Sequence, residues 1–413
     1  MLPQAGRDTV AVVGAGVIGC SIAWALAREG RRVLLIDRDA PGRGGASFGN
    51  VGHVAAELVE PLPSPRLLFG FWRELFAFGG PLSVPLRRLP AFAPWACRFA
   101  AAAFRRPEGT RHLAPLVKPS SAAYRQLLNE IGRPELLRRN GHYQFWVGKD
   151  LSRAEALHMG KLGVPTAEVS ADVLKAVGAA ARKPVAGLFF PESAHVVDPY
   201  LVCESLAHAV TQRGASVWRA GVRAMQPRGD AIEIVTNEGP LSVGTAVIAA
   251  GVWSTPLLAA FGLHAPLEAA RGYHIDMPGH AAFVDAPSVY VHQRMLVTPM
   301  LGRVRASGYM EFAGIDAPPD PRKPAQLRHN LKQLGFRPGD TGPSWMGHRS
   351  VLPDYLPGIG HVPGAHRLFY AVGHQHIGLT LAPVTGDLIA DLVAERTPRH
   401  AVSAFDLRRF GRA

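Results

Sequence analysis

Val10, Ala11, Val12 and Val13 form an unbroken apolar run that stops at Gly14, the pattern of a short buried strand. The period then changes. Ile18, Ile22 and Leu26 recur every four residues, which predicts one face of a helix ending near Gly30. Val33-Leu34-Leu35-Ile36 is a second apolar strand, closed by Asp37. The stretch from Val10 to Ala27 is long enough to suggest a membrane span or a signal peptide, but three spaced glycines and the strand that follows predict strand–turn–helix instead. Further along, Leu241–Ser254 reads as a strand running into a glycine turn. Gly373–Thr380 is a second glycine-rich turn. It is followed by a helix with Pro383 in its first turn and Val384, Leu388 and Leu392 on one face. Residues 56–115 are rich in Pro, Phe, Trp and Arg and lack a strand–helix rhythm, whereas Ser288–Val291 and Leu296–Thr298 are β-branched runs. No internal repeat is visible.

The chain has 413 residues, 47% hydrophobic and 19% charged, enough for about two domains with substantial cores, which excludes collagen, disorder and a disulfide-stapled mini-protein. Three cysteines, odd in number and far apart, form no framework and no CxxC pair, and suggest a reducing, cytoplasmic setting. A formal net charge of +13 raises nucleic acid or an anionic surface as a partner. The charge is scattered, however, and the nearest cluster (Arg87, Arg88, Arg98, Arg105, Arg106 and Arg111) contains no basic run of five and no zinc-finger spacing. A chain-wide arginine bias explains it, and no nucleic acid partner is expected.

Gly14-Ala15-Gly16-Val17-Ile18-Gly19 stands between the first strand and the helix, where a dinucleotide fingerprint belongs. Gly14 allows the tight turn, Gly16 lets a pyrophosphate approach the backbone, and Gly19 lets helix and strand pack closely. The N–H groups at Val17 and Ile18 open the helix toward the phosphates. Asp37 can accept two hydrogen bonds from a ribose, which favours FAD or NAD over NADP even with Arg38 next to it. Three other segments favour FAD. They are the small, flexible Gly44–Gly52 stretch able to wrap a large ligand, the turn after Ile248, and the Gly373–Thr380 turn.

These residues resemble those of the flavoprotein amine-oxidising family that includes D-amino-acid dehydrogenase, glycine oxidase and sarcosine oxidase. The likeness spans nearly the whole chain. It is most specific at 10–52, Val247–Ser254, Arg271-Gly272-Tyr273 and Trp345–Thr380, with Gly347–Gly360 matching a family segment and Glu311–Gly314 another. The resemblance implies an α/β fold in which a Rossmann-type FAD domain (1–55, 190–265 and 345–405) is interleaved with a substrate domain on a mixed β-sheet with helices (56–189 and 266–344). It implies FAD contacts from Gly14, Gly16, Val17, Ile18, Gly19, Asp37, Arg38, Ser47, Asn50, Gly52, Val222, Ala250, Gly251, Gly373, Gly378, Leu379 and Thr380. Non-covalent FAD is expected, since no cysteine lies near the C-terminal flavin segment and His53 aligns poorly with the linking histidine of other relatives.

The same resemblance makes Arg349 the anchor of a substrate carboxylate, for which a guanidinium is a planar bidentate match. The competing reading is a structural salt bridge. Tyr273 is a second candidate near substrate, or else a core tyrosine. His374 and His376, flanking Gln375, are candidates for the substrate pocket and proton handling, or satisfied core histidines. The helix after Gly378 is expected to aim its N-terminus at the flavin C2 carbonyl. No metal set is suggested. The expected reaction is oxidation of a D-amino acid, with D-proline or D-hydroxyproline as cyclic candidates, to the imino acid, with electrons leaving to a quinone or another acceptor. A glycine- or sarcosine-type oxidase using oxygen is the alternative, followed by a subunit of a larger dehydrogenase and a tRNA-modifying flavoprotein. The Leu67–Phe104 stretch, aromatic with interspersed Arg, is either a solvated basic face or a peripheral contact on the inner face of the cytoplasmic membrane.

Overall fold

A computed structural model describes residues 3, 6–148, 150–339, 342 and 344–411. The N-terminal pattern folds as its periods require. Thr9–Val13 is a fully buried strand, Val17–Arg28 a helix and Arg32–Asp37 a strand parallel to the first. The helix starts at Gly16 without a side-chain cap, which leaves its first-turn N–H groups to an outside partner.

The first two strands sit in a six-stranded sheet ordered Ser216–Arg219, Arg32–Asp37, Thr9–Val13, Thr245–Ile248, Ala365–Val372, Gly358–Val362. It is parallel except for its last pair. The reversal of direction on either side of Thr9–Val13 opens a crevice at the carboxyl ends of the strands, where α/β sheets bind ligands. One face carries helices Val17–Arg28, Pro199–Gln212 and Gly378–Val393. Gly386 brings the first and last of these together, since a Cβ there would stand 2.7 Å from the Ser21 carbonyl oxygen. The other face is covered by an antiparallel meander of Val222–Arg228, Ala231–Thr236 and Gly239–Val243.

A nine-stranded mixed sheet forms the second layer system, with the long Glu268–Pro278 strand between Arg303–Glu311 and Trp345–Val351. Trp345–Val351 therefore lies in the large sheet, paired at seven positions along Glu268–Pro278. The sequence-based boundary at 345 cuts too early, because Val351 is where the chain turns back toward the six-stranded sheet. Val185–Phe190 also pairs within the large sheet, against His142–Val147. A small sheet of His53–Val54, Ala194–Val196 and Leu137–Arg138 lies between the two systems.

Pro383 falls in the second turn of the last helix rather than its first. Its missing N–H frees the Leu379 carbonyl, which accepts the Tyr124 hydroxyl at 2.7 Å. Among the described residues no helix is long and apolar enough to cross a membrane.

Candidate active site

A single continuous cavity of about 1010 Å³ runs from the first glycine turn to the large sheet. Small-molecule sites usually span about 300–1,000 Å³, so there is room for a dinucleotide-sized ligand with substrate beside it. Gly14, Gly16, Val17, Ile18, Asp37 and Arg38 line one end. Gly14 has φ +108°, and a Cβ on it would stand 2.4 Å from the Ala249 carbonyl oxygen. The Ser47 hydroxyl accepts the Val17 N–H at 2.9 Å, holding the 44–52 segment over the helix start. Asp37 braces the turn by accepting the Ala15 N–H at 2.6 Å. Arg38 stacks its guanidinium 4.0 Å from the centre of the Trp253 ring. Ser47, Asn50, Val222, Ala250 and Gly251 continue the wall.

At the other end the wall is made by Gly373, His374, Gln375, His376, Gly378 and Leu379 together with Arg349. No side chain caps the helix that starts at Gly378, so its positive end opens on the cavity. Arg349 reaches the cavity from Trp345–Val351, donating one hydrogen bond to the Tyr309 carbonyl at 3.0 Å. Its guanidinium lies over Gly272 on the neighbouring strand, where a Cβ would approach Nη2 to 2.2 Å. A glycine is needed there because the arginine fills the space. Arg349 has no carboxylate partner among the described residues, and burial holds its pKa below the usual guanidinium value.

Burial drives the pKa of His374 down to about 3, and its Nε2 lies 3.1 Å from the Thr385 hydroxyl. His376 presents much of its ring to the cavity, and burial together with the Arg349 cation lowers its pKa to about 4. Both imidazoles are therefore neutral near pH 7.

Four expected site residues do not line the cavity. Tyr273 is turned away. On an extended strand Gly272 and Tyr273 point to opposite faces, so the tyrosine joins Arg271 on the far side. There its hydroxyl donates to Glu311 at 2.5 Å, and Arg271 pairs with the same carboxylate. Gly19 acts as a packing glycine, since a Cβ there would lie 1.8 Å from the Gly14 carbonyl oxygen. Gly52 has φ +75° against the Val196 carbonyl. Thr380 uses its hydroxyl to accept the Ala55 N–H at 3.0 Å, tying the wrapping segment to the last helix.

Gln375, expected only as part of the polar turn with His374 and His376, lines the cavity as well. It holds φ +48°, uncommon for a residue other than glycine, and both polar atoms of its side chain are buried without a hydrogen-bond partner. Orphaned amide atoms on a cavity wall call for a ligand, as do the uncapped helix ends at Gly16 and Gly378. A flavin dinucleotide fits these groups.

The family model for FAD dependent oxidoreductases matches residues 9–392. The chain belongs to that family. This FAD-dependent oxidoreductase is 31% identical to a D-amino-acid oxidase of Bradyrhizobium diazoefficiens over 97% of this chain and 98% of the relative. It is 31% identical to D-amino acid dehydrogenase 2 of Ralstonia nicotianae over 97% of this chain and all of the relative. Its fold is shared with glycine oxidase from Geobacillus kaustophilus at a TM-score of 0.76 and 22% identity, covering 97% of this chain and 98% of that one.

Proposed function

We propose that this FAD-dependent oxidoreductase oxidises the Cα–N bond of a D-amino acid to the imine. The observation that carries this reading is Arg349, a partly buried cation on the cavity wall with no carboxylate of its own among the described residues. A substrate carboxylate would complete it through two parallel charge-assisted hydrogen bonds. The D-amino acid class is supported by the names of the two relatives described above.

FAD, when bound, supplies the two-electron acceptor that takes a hydride from Cα. Gly14, Gly16 and the N–H group at Ile18 would hold the pyrophosphate, the Val17 N–H being taken by Ser47, and Asp37 would hold the ribose. The helix start at Gly378 and Leu379 would stabilise negative charge at the reduced ring, and Gln375 would bond its edge. Neutral His374 and His376 add no competing cation beside Arg349. Open-chain imines then hydrolyse in water to a 2-oxo acid and ammonia. Non-covalent binding would release yellow cofactor into the supernatant on acid precipitation, whereas a coloured pellet would contradict it.

The electron acceptor is proposed to be a membrane quinone, with oxygen as the alternative. Phe69 and Phe78 are well over half exposed and Trp72 about half, beside Arg66 and Arg73, while Leu67, Leu68 and Phe71 of the same segment line the cavity. An exposed apolar surface flanked by arginines beside the cavity suits an anionic bilayer. Salt-sensitive co-sedimentation with anionic vesicles is expected, and its absence would remove this part.

The reaction is tested by anaerobic bleaching of the flavin with a panel of D- and L-amino acids, glycine and sarcosine. Bleaching by D-amino acids, cyclic D-proline included, is expected. Bleaching by L-amino acids alone, or by none, would overturn the proposal.

A further inference from the structure

Three carboxylates are buried among the described residues: Glu57, Asp198 and Glu311. Asp198 pairs with Arg303 at 2.7 Å and Glu311 with Arg271 at 2.5 Å. Glu57 has no arginine or lysine. It follows the His53–Val54 strand in a turn, on the wall of the same cavity as Arg349. Its Oε2 accepts the Ser193 hydroxyl at 2.5 Å. Its Oε1 faces two imidazoles, His53 Nε2 at 3.3 Å and His142 Nε2 at 3.9 Å, whose rings lie 4.5 Å apart.

These histidines do not supply the missing positive charge. His142 Nδ1 is engaged by the Pro287 carbonyl at 3.2 Å, which places its proton there and turns the Nε2 lone pair toward Glu57. His53 Nε2 makes no well-formed hydrogen bond. Burial pushes the pKa of both to about 3, so both are neutral near pH 7. The cluster belongs to the same chamber as Arg349, because His53, Glu57, His142 and Arg349 all line the one cavity.

One wall thus carries a partly buried guanidinium with no carboxylate, and another a buried carboxylate with no arginine or lysine, among the described residues. Burying either without a partner costs several kcal/mol, which a ligand bearing both opposite charges would offset at once. We infer that Glu57, oriented by Ser193, is the receptor for the substrate's ammonium group, so that Glu57 and Arg349 together select a zwitterion. His53 and His142 shape the rim of that subsite. This inference rests on the amino-acid reading above and adds the group that recognises the nitrogen. The same three side chains have the donor types of a two-histidine, one-carboxylate metal site, with ligand atoms all within 4.8 Å of one another.

The test uses the flavin-loaded enzyme and two ligands of equal chain length, the best amino acid and the corresponding 2-hydroxy acid, which keeps the carboxylate and loses the ammonium. Dissociation constants are read from the flavin spectrum, anaerobically where the ligand reduces it. The wild type is expected to prefer the amino acid by about 10²-fold. Glu57→Gln, which keeps the bond to Ser193, should bring that ratio to near one while 2-hydroxy acid binding stays within about twofold. Glu57→Asp should fall between. Should Glu57→Gln not fold, the wild-type ratio still decides, since a ratio near one would overturn the inference. Equal weakening of both ligands would also overturn it, as would stoichiometric Zn²⁺ binding by equilibrium dialysis that is lost in His142→Ala. An enzyme bleached by no amino acid fails the reading of the reaction. A Glu57→Gln variant that keeps its preference for the amino acid fails this inference alone.

Discussion

Gly272→Ala probes the seating of Arg349 without touching its charge. The Glu268–Pro278 strand is extended at this position, and Gly272 is absent from the positive-φ glycines, so an alanine backbone is accommodated. The added methyl would meet Nη2 at 2.2 Å, Cζ at 2.3 Å and Nη1 at 2.5 Å. Ordinary contact begins near 3.4 Å, so the guanidinium must withdraw by about 1 Å. A displacement of that size in a positioning group costs roughly 10²-fold in rate, about 2.7 kcal/mol of transition-state stabilisation. The fold should barely notice, because the guanidinium is the far end of a flexible side chain and can yield toward the cavity. Steady-state kcat/KM, flavin content and thermal unfolding measured on one preparation separate the two effects. The expected outcome is a loss of about 10²-fold in kcat/KM with unchanged flavin content and a Tm within a few degrees of wild type. A kcat/KM within threefold of wild type would refute the argument that Gly272 exists to seat Arg349.

Two further outcomes follow from the geometry. Gly19→Ala drives a methyl to 1.8 Å from the Gly14 carbonyl, backbone against backbone, and should cost roughly 1–3 kcal/mol and most of the bound flavin; an absorbance ratio equal to wild type would contradict it. Burial of His53, His142 and His374 places their folded pKa near 3, below the unfolded value of about 6.5, so the unfolded chain binds more protons between those limits. Stability is then full above about pH 6.5 and is lost as pH falls, by about 2 kcal/mol per histidine at pH 5; a Tm that stays level from pH 8 to pH 5 would count against neutral burial.

The parts of the site carried by contiguous residues were legible in the sequence. Gly14, Gly16 and Gly19 gave the turn, the strand on either side gave its setting, and Asp37 closed the unit. The Gly373–Thr380 turn likewise announced a helix start at the cavity. What could not be read depends on which face a strand turns inward. Tyr273 looked like a site residue because it belongs to a recognisable triplet, yet the inward position belongs to Gly272, and the tyrosine serves the Arg271–Glu311 pair instead. Strand alternation was the available signal, but nothing in the sequence states its phase. Trp345–Val351 was placed on the wrong side of a boundary because sheet membership is set by pairing with a segment some 75 residues away. Glu57 with His53, His142, and Ser193 come from three separated segments, joined only when the small sheet and the His142–Val147 strand meet. Gln375 carried a readable hint, a polar residue inside a glycine turn, but its orphaned amide and its positive φ are visible only in the fold.

The central claim is that Arg349 holds the carboxylate of the amino acid being oxidised. Its most direct measurement is the anaerobic rate of flavin reduction by the best D-amino acid and by its methyl ester, in wild type and in Arg349→Met. Two charge-assisted hydrogen bonds at about 1.5–3 kcal/mol each predict that the wild type favours the acid by at least about 10²-fold. The variant should lose that preference, with the ester rate changed less than about tenfold. A variant that still favours the free acid as strongly as the wild type would show that another group binds the carboxylate.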